Sequence, residues 1–183
     1  MINADTRDRH SEGKPEQQRF RLAPAQVEMV VRLSLEGIRA ENVLDVGVGT
    51  GVFATAFTEC SLSVTGVDPD PDVLKAVRQN LRKIVLVNAS PEQLPFEPAS
   101  FDLVFLGLFL YKEKDPAKVL SEARRIARRR VVVLDWPYRA DTIGPSIEKR
   151  LRPAQIRDIA GYSAYQSTER IELEHLDLYL LSI

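Results

Sequence analysis

The chain has 183 residues, 44% of them hydrophobic and 28% charged, with a formal net charge of -1, which suits one globular unit of ordinary composition and is short for two. That balance argues against nucleic acid or a membrane surface as an electrostatic partner, and no apolar run approaches a membrane span. A single cysteine, Cys60, excludes an internal disulfide and, with a polar start that does not resemble a secretory signal, makes the cytoplasm the expected compartment.

Residues 1–19 carry almost no apolar side chains and are expected to form a flexible tail or lid. From Pro24 to Arg39, Val27, Val30, Val31, Leu35 and Ile38 recur at helical spacing. Val43–Val46 reads as a buried strand, Val52–Cys60 as a helix with Cys60 in the core, and Leu62–Val67 as a second strand. Asp70 and Pro71 open the next helix, which runs to about Leu81 and buries Val73, Leu74, Val77 and Leu81. Ile84–Val87 is a third strand. A loop with Pro91, Pro95 and Pro98 then leads to a fourth, Leu103–Leu106.

Asp115-Pro116 starts a helix that buries Val119, Leu120, Ala123, Ile126 and Ala127, and a fifth strand follows at Val131–Leu134. Between them stands the one strongly basic run, Arg124 to Arg130. It is expected to close the helix, where cations favour the negative end of the dipole. Pro153 opens a short helix with Ile156, Ile159 and Ala160, after which two closely spaced alternating runs predict an antiparallel strand pair. Continuous apolar strands alternating with helices imply a parallel sheet covered on both faces.

The stretch after the first strand is the most informative. Asp45 is followed by glycines at 47, 49 and 51, and then by the second helix. A strand, a glycine turn and a helix N-terminus make a nucleotide-type binding element, with main chain exposed to a ligand. Seventeen residues after Gly51 the next strand ends in Asp68, placed to accept from both hydroxyls of a ribose. Together they predict an adenosine-containing cofactor. The spacing is G-x-G-x-G rather than the dinucleotide G-x-G-x-x-G, with Val52 where a final glycine would fall.

Residues 43–51 resemble motif I of the class I S-adenosylmethionine-dependent methyltransferases, of the small-molecule, type 11-like kind. Val64–Asp68 resembles the ribose-binding strand of that family, and Asn88–Phe96 with Ser100–Val104 its adenine-side loop and fourth strand. Asp115-Pro116 and Val131–Pro137 fall where the family has its next helix and fifth strand. The resemblance implies a single S-adenosylmethionine-binding domain over residues 1–183. It implies a Rossmann-like, doubly wound, seven-stranded α/β sheet, mostly parallel with an antiparallel last strand. It places S-adenosyl-L-methionine against Asp45, Gly47, Val48, Gly49, Gly51, Asp68, Pro69, Ser90, Pro91 and Leu106.

The implied reaction is methyl transfer to a small, partly apolar acceptor. Phe109, Tyr111, Trp136 and Tyr138, which follow the fourth and fifth strands, are its expected neighbours. No catalytic base is evident: Tyr111-Lys112 stands where many relatives carry a His-His pair, and His175 reads as a turn or surface residue. The fourth strand ends without an acid, so no metal site is expected. A non-catalytic cofactor-binding module and a nicotinamide-dependent oxidoreductase remain as alternatives, the latter disfavoured by the glycine spacing and the antiparallel ending.

Overall fold

The computed structural model describes residues 20–81, 83–140 and 143–183. The tail expected at residues 1–19 therefore lies outside the described residues.

Seven strands form one sheet: β1 (Asn42–Val46), β2 (Ser63–Asp68), β3 (Val85–Asn88), β4 (Phe101–Gly107), β5 (Ala127–Asp135), β6 (Ser167–Glu172) and β7 (Asp177–Ser182). Their order is β3-β2-β1-β4-β5-β7-β6. β7 runs antiparallel to both neighbours and the other ladders are parallel. Crossing from β1 to β4 reverses the winding direction. The crevice at that switch point, beyond the carboxyl ends of the strands, is where such sheets bind ligands.

Alternation along the central strands divides the core. Leu44, Val46, Val104, Leu106, Val131 and Val133 face α4 (Pro116–Ile126) and α5 (Pro153–Tyr162). Val43, Leu103, Phe105, Val132 and Leu134 face α1 (Pro24–Leu35), α2 (Val52–Glu59) and α3 (Pro71–Asn80). Strands with both faces covered must be apolar throughout, which is why they read as unbroken runs.

Helix starts follow from local chemistry. The Asp70 carboxylate accepts the Asp72 N–H at 2.9 Å, and the Asp115 carboxylate accepts the Lys118 N–H at 3.0 Å. α1 and α5 both open Pro-Ala-Gln. In each, the glutamine carbonyl reaches back to the N–H of the residue before proline, at 2.9 Å, which is half of a capping box.

The basic run departs from expectation. β5 begins at Ala127, not Val131, and the helix passes into it with no turn: Ala127 is already extended, at φ -74 and ψ 139. Arg124 and Arg125 do end α4, but Arg128, Arg129 and Arg130 are strand residues tied to neighbours. Arg128 and Arg129 donate to Asp102 Oδ1 at 2.7 and 3.3 Å, and Arg130 donates to the carbonyls of Ser34 and Glu36. Burial pushes Asp102 up, but the Glu41 N–H and the two guanidinium groups outweigh it and hold the carboxyl below its usual range. Arg125 holds Glu122 and the carbonyls of Leu94 and Phe96, so it pins the proline-rich loop to α4. Cys60, expected in the core, is exposed at the end of α2.

Candidate cofactor and acceptor site

The loop after β1 is drawn against β2. The N–H groups of Gly47 and Val48 both donate to the Val67 carbonyl, at 2.8 and 2.9 Å. All three glycines take positive φ: 72° at Gly47, 51° at Gly49 and 78° at Gly51. Their surroundings separate their roles. A side chain at Gly49 would project into open space, meeting nothing nearer than the Gly47 carbonyl at 3.6 Å. One at Gly51 would strike Leu81 and Val77 of the α3 segment, and one at Gly47 would strike the Phe109 ring. Gly49 therefore leaves ligand room, whereas Gly51 lets α2 approach α3. Val48 turns inward and packs on Gly66.

Asp68 ends β2 beside this loop. Its Oδ2 accepts the Gly49 N–H at 3.3 Å and its Oδ1 the Asp70 N–H at 3.0 Å. A carboxylate has about four acceptor sites, so lone pairs remain for two hydroxyl donors. The Asn88 amide donates to the carbonyls of Asp68 and Pro69 at 3.0 Å each, which fixes the tip of β2. Ser90 is exposed and Pro91 buried at the start of the adjoining loop, and the Ser90 hydroxyl accepts the Glu92 N–H at 3.3 Å. The open glycine, the carboxylate and the exposed hydroxyl fit a nucleoside with a polar tail.

Two of the expected cofactor neighbours sit behind this surface. Leu106 is fully buried between β1 and β5, and it is Leu108 that reaches a cavity. Asp45 is 2% exposed and accepts the Ala54 N–H, so it braces the first turn of α2. Burial pushes its carboxyl up to about 7; the Ala54 N–H opposes that and the nearby Asp68 charge adds to it.

A cavity of about 1480 Å³ opens beside the glycine loop. Thr50, Val52 and Phe53 form the side nearest the loop, Leu108 and Tyr111 the side following β4, and Trp136 the side following β5. Of the four aromatics expected near an acceptor, the structure brings Tyr111 and Trp136 together here. Phe109 instead lies on Gly47 and packs on the core beneath α4, and Tyr138 lies under the Arg152 guanidinium, 5.2 Å from its ring centroid.

The geometry matches known proteins. The methyltransferase domain family matches over residues 44–134. An uncharacterised methyltransferase of Mycobacterium tuberculosis is 35% identical over 89 residues, 49% of this chain and 36% of that protein. The demethylmenaquinone methyltransferase of Thermotoga maritima is 32% identical over 110 residues, 58% of this chain and 48% of that one. The chain thus spans less than half the length of these relatives. Among solved structures, a SAM-dependent methyltransferase from Aquifex aeolicus superposes with a TM-score of 0.72 at 17% identity, covering 89% of this chain and all of the other. Magnesium protoporphyrin IX methyltransferase from Synechocystis, solved with bound SAM, gives a TM-score of 0.69 at 17% identity, covering 86% and 78%.

The chain belongs to the class I S-adenosylmethionine-dependent methyltransferases. Within this methyltransferase fold, the antiparallel β7 between β5 and β6 also distinguishes the sheet from the all-parallel ending expected of the nicotinamide alternative.

Several site-shaping residues were not apparent from sequence. Asp135, at the end of β5, accepts the N–H groups of Trp136 and Tyr111 at 2.8 and 3.1 Å, and so fixes both cavity aromatics. Burial pushes its carboxyl up to about 7, against those two bonds and Lys112, with Asp177 adding to the rise. Arg150 is 4% exposed and donates to four carbonyls, those of Pro137, Arg139, Ile143 and Pro145, at 2.7–3.0 Å. It thereby clamps the loop that supplies Gly144, Pro145, Ser146 and Lys149 to the cavity wall. Gly144, at φ +85, lies flat on the Trp136 ring, where any side chain would collide. Phe20 meets Trp136 edge-on at 4.9 Å between centroids, so the first described residues complete the wall. Among the described residues there is no metal-binding cluster, and no helix is long and apolar enough to cross a membrane.

Proposed function

We propose that this chain transfers a methyl group from S-adenosylmethionine to a small, partly apolar acceptor. The observation that carries the reading is adjacency: the cavity wall begins at Thr50, next to the open Gly49 and the Asp68 carboxylate. The cofactor would lie along Gly47 and Gly49, with its ribose on Asp68 and its adenine towards Ser90 and Pro91. It supplies an activated methyl group on sulfur. What the chain adds is position: it holds the acceptor in line with that methyl and excludes water, and such alignment can supply much of the barrier reduction.

The residues that would seat the acceptor are Tyr111, Trp136 and Leu108, held by Asp135 and by the Arg150-clamped loop. The segment before Phe20 enters the described structure at this wall, which supports a role for residues 1–19 as a cover over the bound acceptor. Incubation with S-adenosylmethionine and a panel of small apolar acceptors, demethylmenaquinone included because relatives are named for it, tests the reading. Stoichiometric S-adenosylhomocysteine and methylated product are expected from at least one acceptor. Cofactor binding with no product from any member would leave a binding module instead.

A further inference from the structure

The charged side chains that line the cavity are all of one sign. Arg21, Lys112 and Lys149 reach it, and among its described lining residues there is no carboxylate. None of the three forms an ion pair among the described residues. Lys112 feels the fields of Asp135 and Glu113 without bonding to either, and its ammonium stands 5.4 Å from the Tyr111 ring centroid. The cations come from separate places: the approach to α1, the turn after β4 and the clamped loop. The rest of the lining is mostly apolar and aromatic, with hydroxyls from Thr50 and Ser146. Low-dielectric walls carrying one sign of charge concentrate ligands of the opposite sign.

We propose that the acceptor is an amphipathic organic anion, with an apolar body on Trp136, Leu108 and Phe53 and a carboxylate or phosphate head among Arg21, Lys112 and Lys149. This rests on the methyltransferase reading above and narrows its substrate class. An oxyanion also removes the need for a base, and neither histidine nor carboxylate lines the cavity among the described residues. The acceptor oxygen's lone pair forms the new O–CH3 bond as the C–S bond breaks with its electron pair left on sulfur. The anionic and sulfonium charges cancel and no proton is released.

The test uses the full chain saturated with S-adenosylhomocysteine and three probes of one shape: octanoate, octyl phosphate and neutral octanamide. Trp136 is the only tryptophan, so its fluorescence reports occupancy of this cavity rather than of a surface groove. At low salt at least one anion should bind roughly tenfold tighter than the amide, as an ion-pair contribution of about 1.4 kcal/mol requires. Lys149→Glu should erase that preference, lowering anion affinity at least roughly tenfold more than octanamide affinity, and Lys112→Glu should weaken it. The tighter of the two anions identifies the head group. Equal affinity for anion and amide, no binding of either anion, or a preference that survives Lys149→Glu would overturn the proposal. Failure of S-adenosylhomocysteine to bind in the preliminary titration would instead overturn the methyltransferase reading.

Discussion

The glycines of the β1–α2 loop are alike in sequence and unlike in work. Gly51 is filled in by Leu81 and Val77, whereas Gly49 faces open space. Gly51→Ala is therefore expected to cost about 1–3 kcal/mol of stability in urea titrations, through strain at positive φ and overpacking, while the folded fraction still binds S-adenosylhomocysteine. Gly49→Val should show the larger loss of affinity, because its side chain enters ligand space. The reverse pattern would mean that the roles have been exchanged.

Asp45 makes a second residue-scale case. Folded, its carboxyl titrates near 7; unfolded, it titrates near the ordinary value of about 3.9. The folded chain thus binds this proton more tightly, so stability falls as pH rises from about 4 towards about 7 and then levels off. Asp45→Asn keeps an acceptor for the Ala54 N–H and has no proton to lose. Its stability relative to the parent should therefore climb between pH 5 and pH 8 in chemical denaturation, and parallel profiles would contradict a buried, proton-retaining carboxyl. The sequence marked Asp45 as a cofactor neighbour within the motif; which side of the loop it occupies was decided by packing.

At the scale of elements, strands and helices were legible because their burial is periodic, and the Asp70 and Asp115 caps because the capping atoms are in the side chains themselves. The start of β5 was not legible, since Arg128–Arg130 carry no apolar signal and are held by Asp102 and by distant carbonyls. Nor was the clamp at Arg150, whose partners are backbone oxygens that every residue possesses.

Arg150→Met keeps the bulk and removes the donors, leaving four carbonyls without their charged partner. Hydrogen bonds to a charged group contribute about 1.5–3 kcal/mol each at most, and a surface loop can recover part of that from water. The expected result is faster proteolysis between Pro137 and Arg150 and weaker acceptor binding, with a smaller change in global unfolding. Uniform destabilisation with normal acceptor affinity would show that the clamp serves the core instead. Deleting residues 1–19 should likewise reduce turnover on a true acceptor and leave the melting temperature of the core nearly unchanged. Full activity of the truncated chain would remove the cover from the proposed mechanism.

At the scale of the whole molecule, the sheet order places the ends of β1, β2, β4 and β5 around one crevice, with the cofactor residues on one side and the cavity on the other. The cofactor half was legible from sequence because it depends on main chain and one carboxylate in a fixed spacing. The acceptor half was less so: Arg21 and Lys149 reach it from separate segments, and only folding brings them together. Both halves depend on Asp68 marking the ribose position. Calorimetric titration of S-adenosylhomocysteine into the parent chain and into Asp68→Ala tests that directly. Loss of a charge-assisted hydrogen bond costs about 1.5–3 kcal/mol, so affinity should fall at least roughly tenfold while the variant remains folded by circular dichroism. Equal affinity in the two proteins, or no binding to the parent, would contradict it.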